Sequence, residues 1–270
     1  MSLLVHRIKK YLRIYKYYFK NSILILLAHK FNLLMSAVAN LVWTFLQIVT
    51  LHLLFDKIPK VQDYAFSDLV LLLAFTQCFV YTTYIFYDVN LDKFANKLRE
   101  GDFDRMLLKP INVKFQASFE QVAIAQIFSM LITVFPLLYI GFSTQENLNI
   151  FNSIIAFLVL ILGIVILFFF RLSIAGLNFF FEETQSLKAT VLDSARELVR
   201  VPLDLFPKIF TYIFTFFIPL AFISFFPMQI VRSGFKKEII LAIEFLILLI
   251  VIVLSKIIWD KGLKRFEGVN

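Results

Sequence analysis

Long apolar runs alternate with short basic ones along this chain, and six of the runs are close to the roughly 20 residues a helix needs to cross a hydrocarbon core. They fall at about Phe31 to Phe55, Phe66 to Tyr87, Phe119 to Phe142, Ile150 to Phe170 or beyond, Ile209 to Phe225, and Ile239 to Ile258. The fourth run continues to Phe181, interrupted only by Asn152, Ser153, Arg171, Ser173 and Asn178, so its helix is expected to extend past the hydrocarbon into the interface. The fifth carries Pro219 and is followed by Pro227. Each proline removes a backbone donor and obstructs the preceding turn, which predicts a break near the far end of that segment.

The pattern ahead of the first run has a different period. Leu4, Ile8, Leu12, Tyr15 and Phe19 share one side of a helical projection, while Lys9, Arg13, Lys16 and Lys20 share the other. The pattern suits a helix lying in the membrane surface, with aromatic rings at headgroup depth and basic groups toward anionic lipid, beside the alternative of a solvated charged helix. The expected organisation is an amphipathic helix over 1–30, a transmembrane domain over 31–258 with a connecting stretch at 90–116, and a short tail over 259–270.

Composition agrees with this all-α integral membrane fold. Of 270 residues 60% are hydrophobic and 17% charged, with 34 Phe, whereas soluble domains hold about 45–50% apolar and about 25% charged residues. The net charge of +8 is explained by where the basic residues fall, not by nucleic acid. Seven precede the first run, six (Lys93, Lys97, Arg99, Arg105, Lys109, Lys114) lie between the second and third, four (Lys188, Arg196, Arg200, Lys208) precede the fifth, and three are in the tail. These twenty face five on the other side: Lys57, Lys60, Arg232, Lys236 and Lys237. The asymmetry predicts a multi-pass protein with both termini cytoplasmic. No cleavable leader is expected, because Ile23 to Ala28 is short and runs into His29 and Lys30. Cys78, the only cysteine, falls inside the second run, which excludes an intrachain disulfide.

The stretch REGDFDRMLLKPINVKFQ, residues 99–116, thereby faces the cytoplasm. Leu91, Phe94, Ala95 and Leu98 make one helical face, Gly101 stands where a C-cap belongs, and a second short helix over Phe103 to Lys109 ends at Pro110. About 30 ordered residues are long for a mere connection. Beside a purely topogenic loop stands a docking surface, with Phe94, Phe103 and Met106 as exposed anchors and the charges setting register.

GDFDRMLLKPINVKFQ resembles the G-x-x-x-x-x-L-L-(K/R)-P-(I/L/V)-(N/S)-x-x-(F/Y)-Q stretch that follows the second span in six-helix ABC-2 type permeases of bacteria. VPLDLFPKIFTYIFTFFIPLAFISFFPMQIV, residues 201–231, is similar to the Pro-rich fifth span of that family. The order of elements agrees over nearly the whole chain. It departs where the family often carries an aromatic-Thr pair at the end of span four and this chain has Asn178, Phe179 and Phe180. The resemblance implies six transmembrane helices in a type V exporter-like fold, a bacterial inner membrane location, and a cytoplasmic coupling helix seated on a separate ATPase. Two ATPase copies would bind ATP and magnesium, this chain no cofactor, and a second permease would complete the path as a homodimer or heterodimer. The coupling role would fall on Leu98, Arg99, Glu100, Asp102, Phe103, Asp104 and Arg105, with Pro110 fixing the exit angle. For Leu108, Lys109 and Pro110, direct contact and a helix stop with a snorkelling lysine are equally open.

The chain has no G-x-x-x-x-G-K-[ST] phosphate loop and too little soluble sequence for a nucleotide fold. His6, His29 and His52 lie on different elements with no H-E-x-x-H pattern and no carboxylate partner at ligand spacing, so no metal site is expected. Glu182 and Glu183 read as a solvated helix end, Arg171 as the boundary of span four, and Glu244 as an ionisable group one to two turns inside span six. Asn40, Thr44, Gln47, Thr76 and Gln77 are polar positions within the first two spans, suited to helix packing or to lining a path. As a path, Asn40, Gln47, Gln77 and Glu244 would stand among Phe, Leu and Ile, which favours amphipathic cargo. A membrane scaffold without transport activity is the second function class, and a membrane-embedded enzyme the third.

Overall fold

The computed structural model describes residues 2–28, 30–57, 63–145, 148–181 and 197–266, whose regular elements are helical. Helix α1 (Ser2–Ala28) is followed by α2 (Lys30–Lys57) and by α3 (Phe66–Thr83), which runs through one π turn at Tyr84–Asp88 into α4 (Val89–Arg99). Then come α5 (Asp102–Leu107), α6 (Val113–Phe119), α7 (Ile124–Ser143) and α8 (Ile150–Leu177). The last described part holds α9 (Lys208–Tyr212), which passes into a π turn at Ile213–Phe217, then α10 (Phe225–Ser233) and α11 (Lys237–Arg265).

Among the described residues five helices are long and apolar enough to cross a membrane: Leu33–Lys57, the continuous Phe66–Arg99 rod, α7, α8 and α11. At 34 residues the rod is about 51 Å long, so it outruns a hydrocarbon core of about 30 Å by several turns. Those turns are α4. They carry α5 and α6, and this end of the molecule is called the near end below.

The expected third span begins late. Asn90 takes both backbone groups of Gln121, accepting from its N–H at 2.8 Å and donating to its carbonyl at 2.7 Å. A side chain thus satisfies the backbone at the corner between α6 and α7, and the helix restarts at Ile124.

A larger departure concerns the fifth apolar run, expected as one span over Ile209 to Phe225. The helical stretch from Lys208 ends at Phe217, ten residues or about 15 Å, too short to cross. Pro219 follows, and the chain turns through Leu220, Ala221, Phe222 and Ile223, all essentially unexposed. Helix α10 then leads back toward the end it came from, so the segment is a re-entrant hairpin. A Cβ on Gly163 of α8 would stand 3.0 Å from Phe222 Cβ, so only glycine lets the turn sit this close. Irregular backbone at membrane depth is tolerated where protein buries it. Ser224 shows the rule at work, its hydroxyl donating to the Val199 carbonyl at 2.8 Å.

The far end is tied by a polar network. The Tyr64 hydroxyl donates to Asp204, Gln229 Nε2 donates to the Tyr64 oxygen at 2.6 Å, and Arg232 lies 4.8 Å over the Tyr64 ring. Arg232 also donates to the Asp63 carbonyl at 2.5 Å and approaches Asp68 at 3.4 Å, and Gln145 reaches Asp68 at 3.0 Å. This network corrects the charge assignment from sequence. Phe180 sits at the near end against Arg265, 5.6 Å away, whereas Asp204 is bound to Tyr64. Arg200 and Lys208, expected on the cytoplasmic side, therefore belong to the far half, and the positive excess at the near end keeps its sign without them. Lys60, Glu182, Glu183, Lys188, Arg196 and His29 lie outside the described residues.

Helix α11 runs beside α8 in the same direction, as Lys237 bonding Asn152 at 2.9 Å and Trp259 bonding the Leu172 carbonyl at 2.6 Å require. Its buried stripe is Ile240, Glu244, Ile247, Val251, Ser255, Trp259 and Gly262, at helical spacing. The main core gathers α3, α8, the hairpin turn, α10 and α11. Helix α2 is scarcely covered, with Leu34, Val38, Leu41, Trp43 and Phe45 all facing outward.

Gly163→Leu should drive Phe222 out of its seat and lower the unfolding temperature of the detergent-solubilised protein, at a cost of about 1–3 kcal/mol. Burial, and then the bond to Asp204, raise the Tyr64 pKa. Its contribution to stability is therefore intact below the unfolded value of about 10 and lost as pH rises toward the folded value. Stability measured through alkaline pH should fall more steeply for the wild type than for Tyr64→Phe.

Candidate functional site

The near end is built outward from a buried charge. Arg171 of α8 is 4% exposed. Its Nη1 lies 2.9 Å from Asp88 Oδ1 in the π turn and its Nη2 lies 2.6 Å from Asp92 Oδ1 in α4, while Thr83 donates to the other Asp88 oxygen at 2.7 Å. Asp88 and Asp92 are four apart and so share a helix face. Arg171 is thus no simple boundary residue: it clamps the overhanging part of the rod to α8. Such a cluster is held tightly, since removal of either partner strands a charge away from water.

Below the clamp the contacts are aromatic. Phe94 meets Phe103, Phe179 and Trp259 at 5.6, 5.6 and 5.0 Å, and Phe266 closes the group 4.8 Å from Phe103. The tilted and edge-on geometries are those that ring quadrupoles favour. Gly262 admits Phe179, whose ring a Cβ there would meet at 2.4 Å. Phe179, where the chain departs from the family pattern, is accordingly a member of this cluster.

Gly101, at φ +77, turns the chain from α4 into α5. The motif that follows is legible residue by residue. Pro110 ends the helical turn, Asn112 caps α6 by accepting from the Phe115 N–H at 3.3 Å, and buried Gln116 donates to the carbonyls of Met106 and Ile111 at 3.1 and 3.0 Å. Glu120 pairs with Lys97 and, at 3.7 Å, with Lys109. Helix α1 braces the corner from outside. Lys10 donates to the Pro110 carbonyl at 2.8 Å, Tyr11 accepts from the Asn112 N–H at 3.2 Å, and Ser22 accepts from the Val122 N–H at 3.0 Å. Burial and the Glu120 carboxylate raise the Tyr18 pKa. Ile8 and Leu12, on the same face of α1 as Tyr11 and Tyr15, remain exposed.

These contacts sort the coupling residues. Phe94, Phe103 and Met106, expected as exposed anchors, are buried, and so is Leu98. The face taken from sequence as the docking face is the one that glues α4 and α5 to α8 and α11, because aromatic residues here gain more from one another than from water. Arg99, Glu100, Arg105, Lys109 and Pro110 are exposed, and Asp102 and Asp104 are half-buried. The apolar side chains that point outward are Leu107 and Leu108, the latter 86% exposed. Leu107 was missed from sequence because hydrophobicity alone does not say which side of a six-residue helix is covered.

The polar positions within the spans mostly join helices. Asn40 donates to Ser129 of α7 at 3.0 Å and Gln77 donates to Gln47 at 3.1 Å, while Thr44 and Thr76 bond their own helices. Glu244 is unexposed, and neither carboxyl oxygen has a hydrogen-bond partner among the described residues. His52, expected to have no carboxylate partner, lies 4.0 Å from Asp56 one helical turn on, in an exposed pair.

The family model described as ABC-2 family transporter protein matches residues 41–269. This chain belongs to that family. The match takes in α4 to α6, the re-entrant hairpin and α11, and leaves α1 outside. No curated protein and no solved structure shows a significant match. As an ABC-2 family member the chain is a multi-pass membrane protein of transport, and its near end is the candidate site.

In this ABC-2 protein Arg171→Met should cost about 3–5 kcal/mol by leaving two carboxylates without their counter-charge. Combining it with Asp88→Asn and Asp92→Asn should recover most of the loss, as thermal unfolding in detergent would show.

Proposed function

We propose that this chain is the membrane-spanning permease subunit of an ABC-2 type exporter in a bacterial inner membrane, with both termini cytoplasmic. A separate ATPase docks on α5 and supplies the energy, and ATP and magnesium are held there. The observation that carries this reading is the tip of α5. Leu107 and Leu108 stand exposed among Arg99, Glu100, Arg105 and Lys109 on a support too well braced to be a loose connection. An apolar pair ringed by charge is the make-up of an interface centre with its polar rim.

The bracing supplies the mechanism. When two ATPase copies close on nucleotide, force applied at Leu107 and Leu108 passes through the aromatic cluster and the Arg171 clamp, so α4, α8 and α11 move together as a rigid body. Helix α8 touches the re-entrant turn at Gly163. Motion at the near end thereby reaches the re-entrant turn. A second permease, identical or not, packs on the uncovered α2 to complete a path for amphipathic cargo.

The permease purified from its native membrane should carry an ATPase in a two-to-two ratio. Leu107→Asp with Leu108→Asp should weaken that association at least tenfold with insertion intact. Phe103→Ala should instead reduce folded yield, at a cost of about 3–5 kcal/mol. ATPase retained by the Leu pair variant overturns the docking site, and absence of any ATPase from the wild type puts a scaffold ahead.

A further inference from the structure

Arg200, like Lys208, lies in the far half, away from the basic near end where the charge pattern placed it. It lies against a cleft of about 330 Å³ whose walls are Trp43, Leu46, Gln47 and Thr50 of α2 and Leu73 of α3. Gln47 is ten residues from the far end of α2 and Leu73 seven from the start of α3, so these walls lie about 10–15 Å inside the helix ends. That is well within a hydrocarbon core of about 30 Å. A guanidinium at such depth is expensive unless it meets water, protein or an anion, and residues of this kind mark substrate paths.

The charge environment is specific. Arg200 Nη1 lies 2.8 Å from Glu197 Oε2, one helical turn back in sequence, and the side chains are 22% and 64% exposed respectively. Glu197 thus takes one edge of the guanidinium from a position that can swing outward. The Arg200 charge also acts on the Tyr81 hydroxyl of α3. Gln47 has its carbonyl oxygen engaged by Gln77 at 3.1 Å, and no partner for its amide donors is found among the described residues. Thr50 turns its hydroxyl to its own helix at 2.8 Å. The polar wall therefore offers donors, and the remaining wall is Trp43 with Leu46 and Leu73, which is apolar and exposed on the Trp43 side.

We propose that this cleft binds an anionic amphiphile, its phosphate or carboxylate head on Arg200 and Gln47 and its acyl chain along Trp43, Leu46 and Leu73. Two edges of a guanidinium suit a planar or tetrahedral oxyanion. Trp43 supplies the amphipathic aromatic surface that lies beside a lipid head. In a permease the site would be where anionic cargo rests within the path; that last step rests on the exporter reading, whereas the binding itself does not.

The test uses the full chain in nanodiscs of neutral phosphatidylcholine, with Trp43 fluorescence as the reporter, since Trp259 is unexposed. Brominated phosphatidylglycerol should quench Trp43 at least threefold more effectively than brominated phosphatidylcholine at equal mole fraction. Arg200→Gln should abolish that preference and Arg200→Lys should keep part of it, with circular dichroism unchanged in both. Equal quenching by the two lipids, or a preference that survives Arg200→Gln, overturns the site. Displacement of the lipid by millimolar inorganic phosphate would show recognition of a free anion and overturns the amphiphile assignment. ATPase co-purification, scored on the same preparations, separates the two ideas: selective quenching without an ATPase keeps the site and removes the exporter, and the reverse result removes the site alone.

Discussion

A guanidinium taken out of water must have its charge answered on the spot, and Arg171 has two carboxylates from successive turns of one helix within 3 Å. Because Asp88 and Asp92 sit where the long rod leaves the apolar zone, this pairing fixes the angle at which α4 projects. Everything at the near end inherits that angle. The five-ring cluster around Phe94 packs only if α4, α8 and α11 keep their relative positions, and Gly262 allows Phe179 to reach it. Helix α5 is then presented by a framework in which charge and aromatic packing both resist bending.

The opposite end answers to a different constraint. Backbone amides in hydrocarbon must be satisfied, so a chain interrupted by Pro219 cannot lie open to lipid. Enclosure of Leu220 to Ile223 between α8 and α10 resolves the conflict, and the Tyr64, Asp204, Gln229 and Arg232 network holds the returning helix in place. Between these two ends, α8 is the common member. It receives the clamp at Arg171 and meets the re-entrant turn at Gly163, about two turns apart on the same helix. Helix α8 is thus a direct physical connection between the near-end clamp and the re-entrant turn.

Much of this was legible beforehand. Run lengths located five long apolar helices among the described residues, and the helical period located α1, because length and period are set by bilayer thickness and helix pitch, which act on any sequence. Gly101 and Pro110 announced their turns, since each works through its own backbone. The prolines of the fifth run announced a break, but not that the chain would return to the far end. Phe94 and Phe103 were read as exposed for want of their partners: Phe179, Trp259 and Phe266 are distant in sequence, and only folding makes them neighbours.

Sequence alone therefore determined the class of environment, the number of apolar runs and the local chemistry of the motif that places the chain in its family, all of which depend on composition and short-range geometry. Tertiary structure decided which face of α4 and α5 is glue and which is surface, that Arg171 is a clamp, and that Arg200 stands beside α2. Those outcomes turn on pairings between residues as much as 170 positions apart, whose energies exist only once packing has removed water and brought the partners together.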